Sequence, residues 1–144
     1  MLKDAFVGVW NLVTAEFRWS NGEMADLYGP DAAGMLIYGQ QGQMSVQIMR
    51  PRRPAFVSGD SRRGTTEEIK AAFEDYLAYF CTYSVDETKH TVTHHMRGSL
   101  FPNWVGQDLI RFFELAGDRL TLRTPPMASA GRQFTGVLVW ERAG

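Results

Sequence analysis

The chain has 144 residues, 44% of them hydrophobic and 22% charged, with a formal net charge of −1. That balance is too apolar for a disordered chain and too near neutral to draw in nucleic acid or an anionic membrane surface. No apolar run approaches the roughly 20 residues of a membrane-spanning helix, so one domain over residues 1–144 with a single core is expected.

Fourteen glycines against six prolines, with 4 Trp, 5 Tyr and 9 Phe, suit many short strands better than a helical bundle. Cys81 is the single cysteine, which rules out an intramolecular disulfide and fits a reducing, cytoplasmic location. No small-x-small cleavage site follows the mildly apolar residues 5–10, so a signal peptide is not expected.

Residues 8–18 alternate loosely and are rich in β-formers, which predicts a long first strand. Asn21-Gly22 is a strong hairpin signal and turns the chain into a second strand near residues 23–28. After Gly29-Pro30-Asp31, residues 35–38 make a third strand and 43–50 a fourth. In the fourth, Met44, Val46 and Ile48 share one face, and parity carries Arg50 inward beside them.

Residues 51–64 read as a loop, and Thr65-Thr-Glu-Glu68 has the spacing of a capping box. A helix over residues 65–77 follows, its stripe of Ile69, Phe73, Tyr76 and Leu77 expected to be core. Then the period returns to two. Tyr79, Cys81, Tyr83 and Val85 share one face of a strand that ends at Asp86-Glu87, and Val92, His94 and Met96 share a face of the next. Residues 107–115, 119–124 and 133–142 complete the set. Arg111 shares a face with Leu109 and Phe113, although Ile110 and Phe112 give that strand an equally apolar opposite side. About nine short strands with one helix mean a sandwich or a barrel.

An antiparallel barrel of about eight strands or more has room inside for side chains or one small ligand. The polar residues that share parity with apolar neighbours are numerous: Tyr38, Arg50, Tyr79, Tyr83, His94 and Arg111. Buried polar groups require partners, and an apolar cavity with a few convergent polar groups is the usual form of a ligand site. The alternative is that these groups satisfy one another or sit at a wet rim.

The two ends of the chain carry a resemblance. Gly8-x-Trp10 opens the first strand and Trp140-Glu-Arg142 closes the last. This resembles the lipocalins and related calycin barrels, in which such a tryptophan packs under an arginine of the final strand. Stacking of guanidinium on indole makes physical sense of the pair.

Gly34-x-Leu36-x-Tyr38, Gly42-x-Met44-Ser45, Tyr79-Phe-Cys-Thr-Tyr83 and Val92-Thr-His94-His95 narrow the resemblance. So do Pro102-Asn-Trp104-x-Gly106, Arg111-Phe-Phe and Leu120-Thr-Leu122-Thr-Pro. Together they resemble a bacterial and fungal lipocalin-like domain family along nearly the whole chain. Cys81 stands where that family usually has glycine. The resemblance implies an all-β fold, a single closed antiparallel barrel of about 8–10 strands with one short helix. Its relatives include carriers of hydrophobic molecules and cofactor-free isomerases, cyclases and hydratases.

No cofactor or metal is expected. His94 and His95 point to opposite faces, and His90 lies roughly 13 Å from His94 along the strand at about 3.3 Å per residue. His94 alone is the candidate acid or base, with Tyr79 and Tyr83 as its catalytic partners if the protein is an enzyme. The competing reading is a core histidine satisfied by Tyr79 or Tyr83. Glu16 and Glu141 are expected beside the Trp10–Arg142 pair, in a salt bridge. Five of the 15 basic residues lie in residues 50–63, read either as a positive lip for an anionic ligand or as a solvated loop offset by Glu67, Glu68, Glu74 and Asp75.

The sequence therefore predicts a barrel that binds a small, mostly hydrophobic molecule, anionic or aromatic ones included, as a carrier or sensor. Its expected ligand-binding residues are Tyr38, Met44, Arg50, Tyr79, Tyr83, His94, Met96, Arg111 and Trp140, with Leu36 and Val92 in the wall. The second reading is a cofactor-independent isomerase, cyclase or hydratase with His94 as acid/base. The expected partner is the small hydrophobic ligand, with a homodimer as an option that the sequence leaves open.

Overall fold

A computed structural model describes residues 2–144. Its strands are β1 (Gly8–Trp19), β2 (Met24–Asp26), β3 (Ala33–Tyr38), β4 (Gln43–Met49) and β5 (Tyr76–Asp86) in the first part of the chain. β6 (Thr91–Ser99), β7 (Asp108–Ala116), β8 (Arg119–Arg123), β9 (Met127–Ser129) and β10 (Arg132–Arg142) follow. Eight of these pair antiparallel in the order β1-β3-β4-β5-β6-β7-β8-β10, and β10 pairs back onto β1, so the sheet is a closed barrel. β2 and β9 are short additions beside β1 and β10. Closure leaves the eight barrel strands with no long open edge. No helix among the described residues is long and apolar enough to cross a membrane.

Inward parity runs as expected on β4, β5 and β6, with Met44, Val46, Ile48, Tyr79, Cys81, Tyr83, Val92, His94 and Met96 all buried. On β7 the ambiguity resolves in one direction: Arg111 and Phe113 are buried, while Ile110 and Phe112 are exposed. On β1 a bulge between Leu12 and Thr14 resets the phase. Trp10 faces inward before it, and Ala15 and Phe17 after it, which alternation alone misses. Glu16 is not at the Trp10 end but six residues further along β1, opposite Val137, where it pairs with Arg18 at 3.4 Å.

One end of the barrel is plugged by a short helix, α1 (Leu2–Phe6), that the sequence does not announce. Phe6 is fully buried and packs edge-on against Tyr38 and Phe113, at centroid distances of 5.2 and 4.9 Å. The Trp10–Arg142 pair holds this plug. The Arg142 guanidinium lies 4.2 Å from the Trp10 ring centre and donates to the carbonyls of Val7 (2.9 Å) and Ala5 (2.7 Å). Trp10 Nε1 donates to the Phe6 carbonyl at 2.9 Å. Gly8 is required here: its φ is +134°, and a Cβ on it would sit 2.9 Å from the Arg142 guanidinium. The carboxylate near Arg142 is Asp118, at 3.5 Å, rather than Glu16 or Glu141.

The helix α2 (Thr66–Glu74) has the expected capping box: Glu68 N–H donates to Thr65 Oγ1, and Thr65 N–H to Glu68 Oε1. It ends earlier than predicted, because Tyr76 and Leu77 already belong to β5. Of its expected apolar stripe, Leu77 packs against the core, from β5, but Ile69 and Phe73 do not. Ile69 and Phe73 are 52% and 45% exposed, so this face of α2 is not packed into the barrel core. Thr65→Ala is expected to cost α2 about 1 kcal/mol locally. Faster amide hydrogen exchange at Ile69, with global unfolding barely moved, would register it.

Candidate ligand-binding site

Between the plug and the opposite, open end lies a cavity of about 190 Å³. Leu36, Met44, Val46, Ile48, Leu122 and Leu138 supply apolar wall, and Tyr28, Leu77, Trp104, Met127 and Phe134 also line it. Its polar contributors are Tyr28, Tyr79, His94, Arg111, Thr124 and Trp140. These come from many different strands because inward positions recur every second residue around a closed sheet.

His94 on β6 is 1% exposed and bonded on both ring nitrogens. Nε2 lies 2.8 Å from the Tyr38 hydroxyl and Nδ1 3.0 Å from the Tyr79 hydroxyl. Burial, with the Arg111 charge next and His95 after it, depresses its pKa to about 3, so the ring is neutral. A neutral imidazole donates from one nitrogen and accepts at the other. With the proton on Nδ1, His94 donates to Tyr79, which leaves the Tyr79 O–H free to donate into the cavity. With the proton on Nε2, Tyr79 donates to His94 and offers the cavity only a lone pair. The Tyr38–His94–Tyr79 row thus presents either a donor or an acceptor to a ligand without changing its charge.

The phenols themselves stay protonated. Burial raises Tyr79 to about 12 and Tyr38 well above its ordinary value. Tyr38 is the partner of His94 that sequence parity does not identify. Tyr83, expected in that role, instead donates to the Gly39 carbonyl at 2.8 Å, beside the plug.

Other expected site residues divide by where their strands put them. Met44, Tyr79, His94, Arg111 and Trp140 line the cavity, whereas Tyr38, Tyr83 and Met96 are buried behind it. Arg50 is a correction. β4 ends at Met49, and the Arg50 side chain is 45% exposed, its Nε 3.0 Å from Asp75 Oδ1. Cys81, in place of glycine, directs its thiol to the Met44 sulfur at 3.5 Å and fills space; burial lifts its pKa to about 12.

Arginines 52 and 63 of the basic loop pair with Asp31 and Asp60, and Arg53 caps the Ala72 carbonyl, which favours the solvated-loop reading. The carboxylates that offset the loop are thus Asp31, Asp60 and Asp75. Of the four proposed from sequence, only Asp75 is among them, while Glu68 caps its own helix and Glu74 lies near Lys70.

The three histidines sit in three environments. His95 faces outward between Asp108 (2.8 Å) and Ser84 (3.0 Å), and His90 stacks on Phe113. Among the described residues no three His, Cys, Asp or Glu side chains gather as a metal site.

Residues 7–143 match the family described as a lipocalin-like domain. The chain is also similar to the 4'-hydroxy-3'-methoxypropiophenone carrier protein of Aspergillus oryzae (strain ATCC 42149 / RIB 40). The two are 33% identical over 106 residues, covering 69% of this chain and 96% of that protein. With its closed eight-strand barrel, its plugged floor and this match along nearly its full length, the chain belongs to the lipocalin-like domain family.

Proposed function

We propose that the protein is a carrier that takes one small, largely apolar aromatic molecule into its barrel and releases it unchanged. The observation that carries this reading is the state of His94. Both ring nitrogens are already engaged by tyrosines, and burial keeps the ring neutral down to about pH 3. A general acid–base group works best with a pKa near the operating pH and a nitrogen free for the substrate proton. The similarity to a carrier of an aryl ketone supports the same conclusion. A cavity of about 190 Å³ suits a single substituted ring.

The test is recovery of the ligand. Freshly purified protein is loaded with an aryl ketone such as 4'-hydroxy-3'-methoxypropiophenone and followed by native mass spectrometry, then extracted after prolonged incubation. One molecule per chain, recovered unaltered, is the expected result. His94→Gln should change affinity only modestly. Steady conversion of the ketone, lost by roughly 100-fold in His94→Gln, would establish the isomerase, cyclase or hydratase reading instead.

A further inference from the structure

Arg111 is the only charged side chain among the described residues that is buried, at 9% exposure. Among the described residues its one hydrogen bond to protein is from Nη1 to the Ile110 carbonyl, at 3.0 Å, and none of their carboxylates lies within ion-pairing distance. The residue lines the cavity, where no wall residue is acidic. A buried guanidinium with one backbone acceptor is a costly arrangement unless something else supplies the counter-charge.

A second observation is independent of the first. Trp140 Nε1 is buried without any acceptor, in a residue that is 1% exposed and lines the same cavity. With the Tyr79 O–H released by one tautomer of His94, residues lining the cavity carry unused donors of three kinds and one uncompensated positive charge.

We propose that the ligand is bound as an anion, with a phenolate or carboxylate oxygen of an aryl molecule on the Arg111 guanidinium. This rests on the carrier reading and narrows its ligand class. The guanidinium presents parallel N–H groups suited to such an oxygen, and the apolar wall takes the ring. Trp140 Nε1 is a further donor for a second oxygen substituent.

The phenols, the thiol and the imidazole in and behind the cavity wall do not titrate in the range that matters. From β3 there is Tyr38; from β5, Tyr79, Cys81 and Tyr83; from β6, His94; and from the segment after β2, Tyr28. All are neutral near pH 7, because burial raises the phenols and the thiol and lowers the imidazole. The charge that changes is then the ligand's own.

The experiment compares three probes by quenching of tryptophan fluorescence over a pH series. They are 4'-hydroxy-3'-methoxypropiophenone, its neutral 3',4'-dimethoxy analogue, and 4-hydroxy-3-methoxybenzoate, which carries a carboxylate at all working pH. The hydroxy ketone is expected to bind about tenfold to a hundredfold more tightly than the dimethoxy analogue. Its affinity should rise as pH increases toward the free phenol's pKa and level off above it. The long-wavelength phenolate absorption band should appear in the complex at a lower pH than in free solution. Arg111→Met should abolish the difference and the band shift, while the dimethoxy analogue still binds.

Tight binding of the benzoate as well would make the recognised group any aryl oxyanion; its exclusion would restrict the site to phenolates. Since Arg111→Met removes a buried charge, the ligand-free variant should melt at or above the wild-type temperature, which excludes misfolding as the cause. Equal binding of hydroxy and dimethoxy ketones, with no band shift, would overturn the inference and leave the carrier reading standing. Failure of all three probes to enter the barrel would remove both.

Discussion

Acidification from about pH 7 to about pH 5 is expected to lower the unfolding free energy by about 2 kcal/mol through His94 alone. In the folded protein its pKa is about 3, while in the unfolded chain it returns to an ordinary value near 6.5. Between those limits the unfolded state holds a proton that the folded state does not. Stability therefore rises with pH through this window, is lost as pH falls below about 6.5, and is fully present above it. Urea unfolding of the wild type and His94→Gln at a series of pH values isolates the effect, because His90 and His95 remain in both. Glutamine can keep a bond to each tyrosine but cannot charge, so its curve should be flatter. The variant starts less stable at neutral pH by roughly 1 kcal/mol, the two curves cross a little below about pH 6, and the variant is the more stable by about 1 kcal/mol at pH 5. Parallel curves across that interval would show that His94 takes up its proton in the folded barrel as readily as in the unfolded chain, and the neutral Tyr38–His94–Tyr79 row would have to be abandoned.

That row shows where alternation is a sufficient guide and where it stops. Parity alone places Tyr79, His94 and Met44 inward, because β4, β5 and β6 have one apolar face and one polar face and so admit a single orientation. It does not reveal which inward groups meet, since that depends on how far each strand is sheared against its neighbour. Tyr38 reaches His94 across a separation of 56 residues, while Tyr83, nearer in sequence and cross-strand partner of His94, turns to the Gly39 carbonyl instead.

β7 has two apolar faces, so only the structure assigns Arg111 to the interior. Arg50 fails for the opposite reason: its parity is right, but the strand ends one residue earlier and the side chain swings out to Asp75. The β1 bulge is invisible because no glycine or proline marks it. α1 is too short to show a helical period, and its packing depends on Phe6, Tyr38 and Phe113 meeting from three separate parts of the chain. In α2 the capping box is local chemistry and is legible. The fate of Ile69 and Phe73 depends on where the helix docks and is not.

The largest loss of stability is expected from Trp10→Ala, about 3–5 kcal/mol, the range for truncating a fully buried large aromatic. On a chain of this size that corresponds to a melting temperature lower by roughly 10–17 °C. The indole does three things at once. It fills the floor of the barrel, its Nε1–H satisfies the Phe6 carbonyl, and its face carries the Arg142 guanidinium. Arg142 in turn ties down the carbonyls of Ala5 and Val7, so removal of the ring releases the arginine that holds α1 in place. Trp10→Phe separates these contributions. It keeps an aromatic face for the cation but leaves the Phe6 carbonyl unbonded, and should cost only about 1–2 kcal/mol. Arg142→Lys keeps the charge but cannot span two carbonyls, and should free α1 for faster hydrogen exchange while the barrel strands remain protected. The consequence reaches the ligand site through Phe6, whose ring packs on Tyr38, the residue that fixes His94. Ligand affinity in Trp10→Phe should therefore fall less than in Trp10→Ala measured at a temperature where both are folded. A Trp10→Ala protein within about 1 kcal/mol of wild type by urea unfolding would mean that the floor is held by β1–β10 pairing alone.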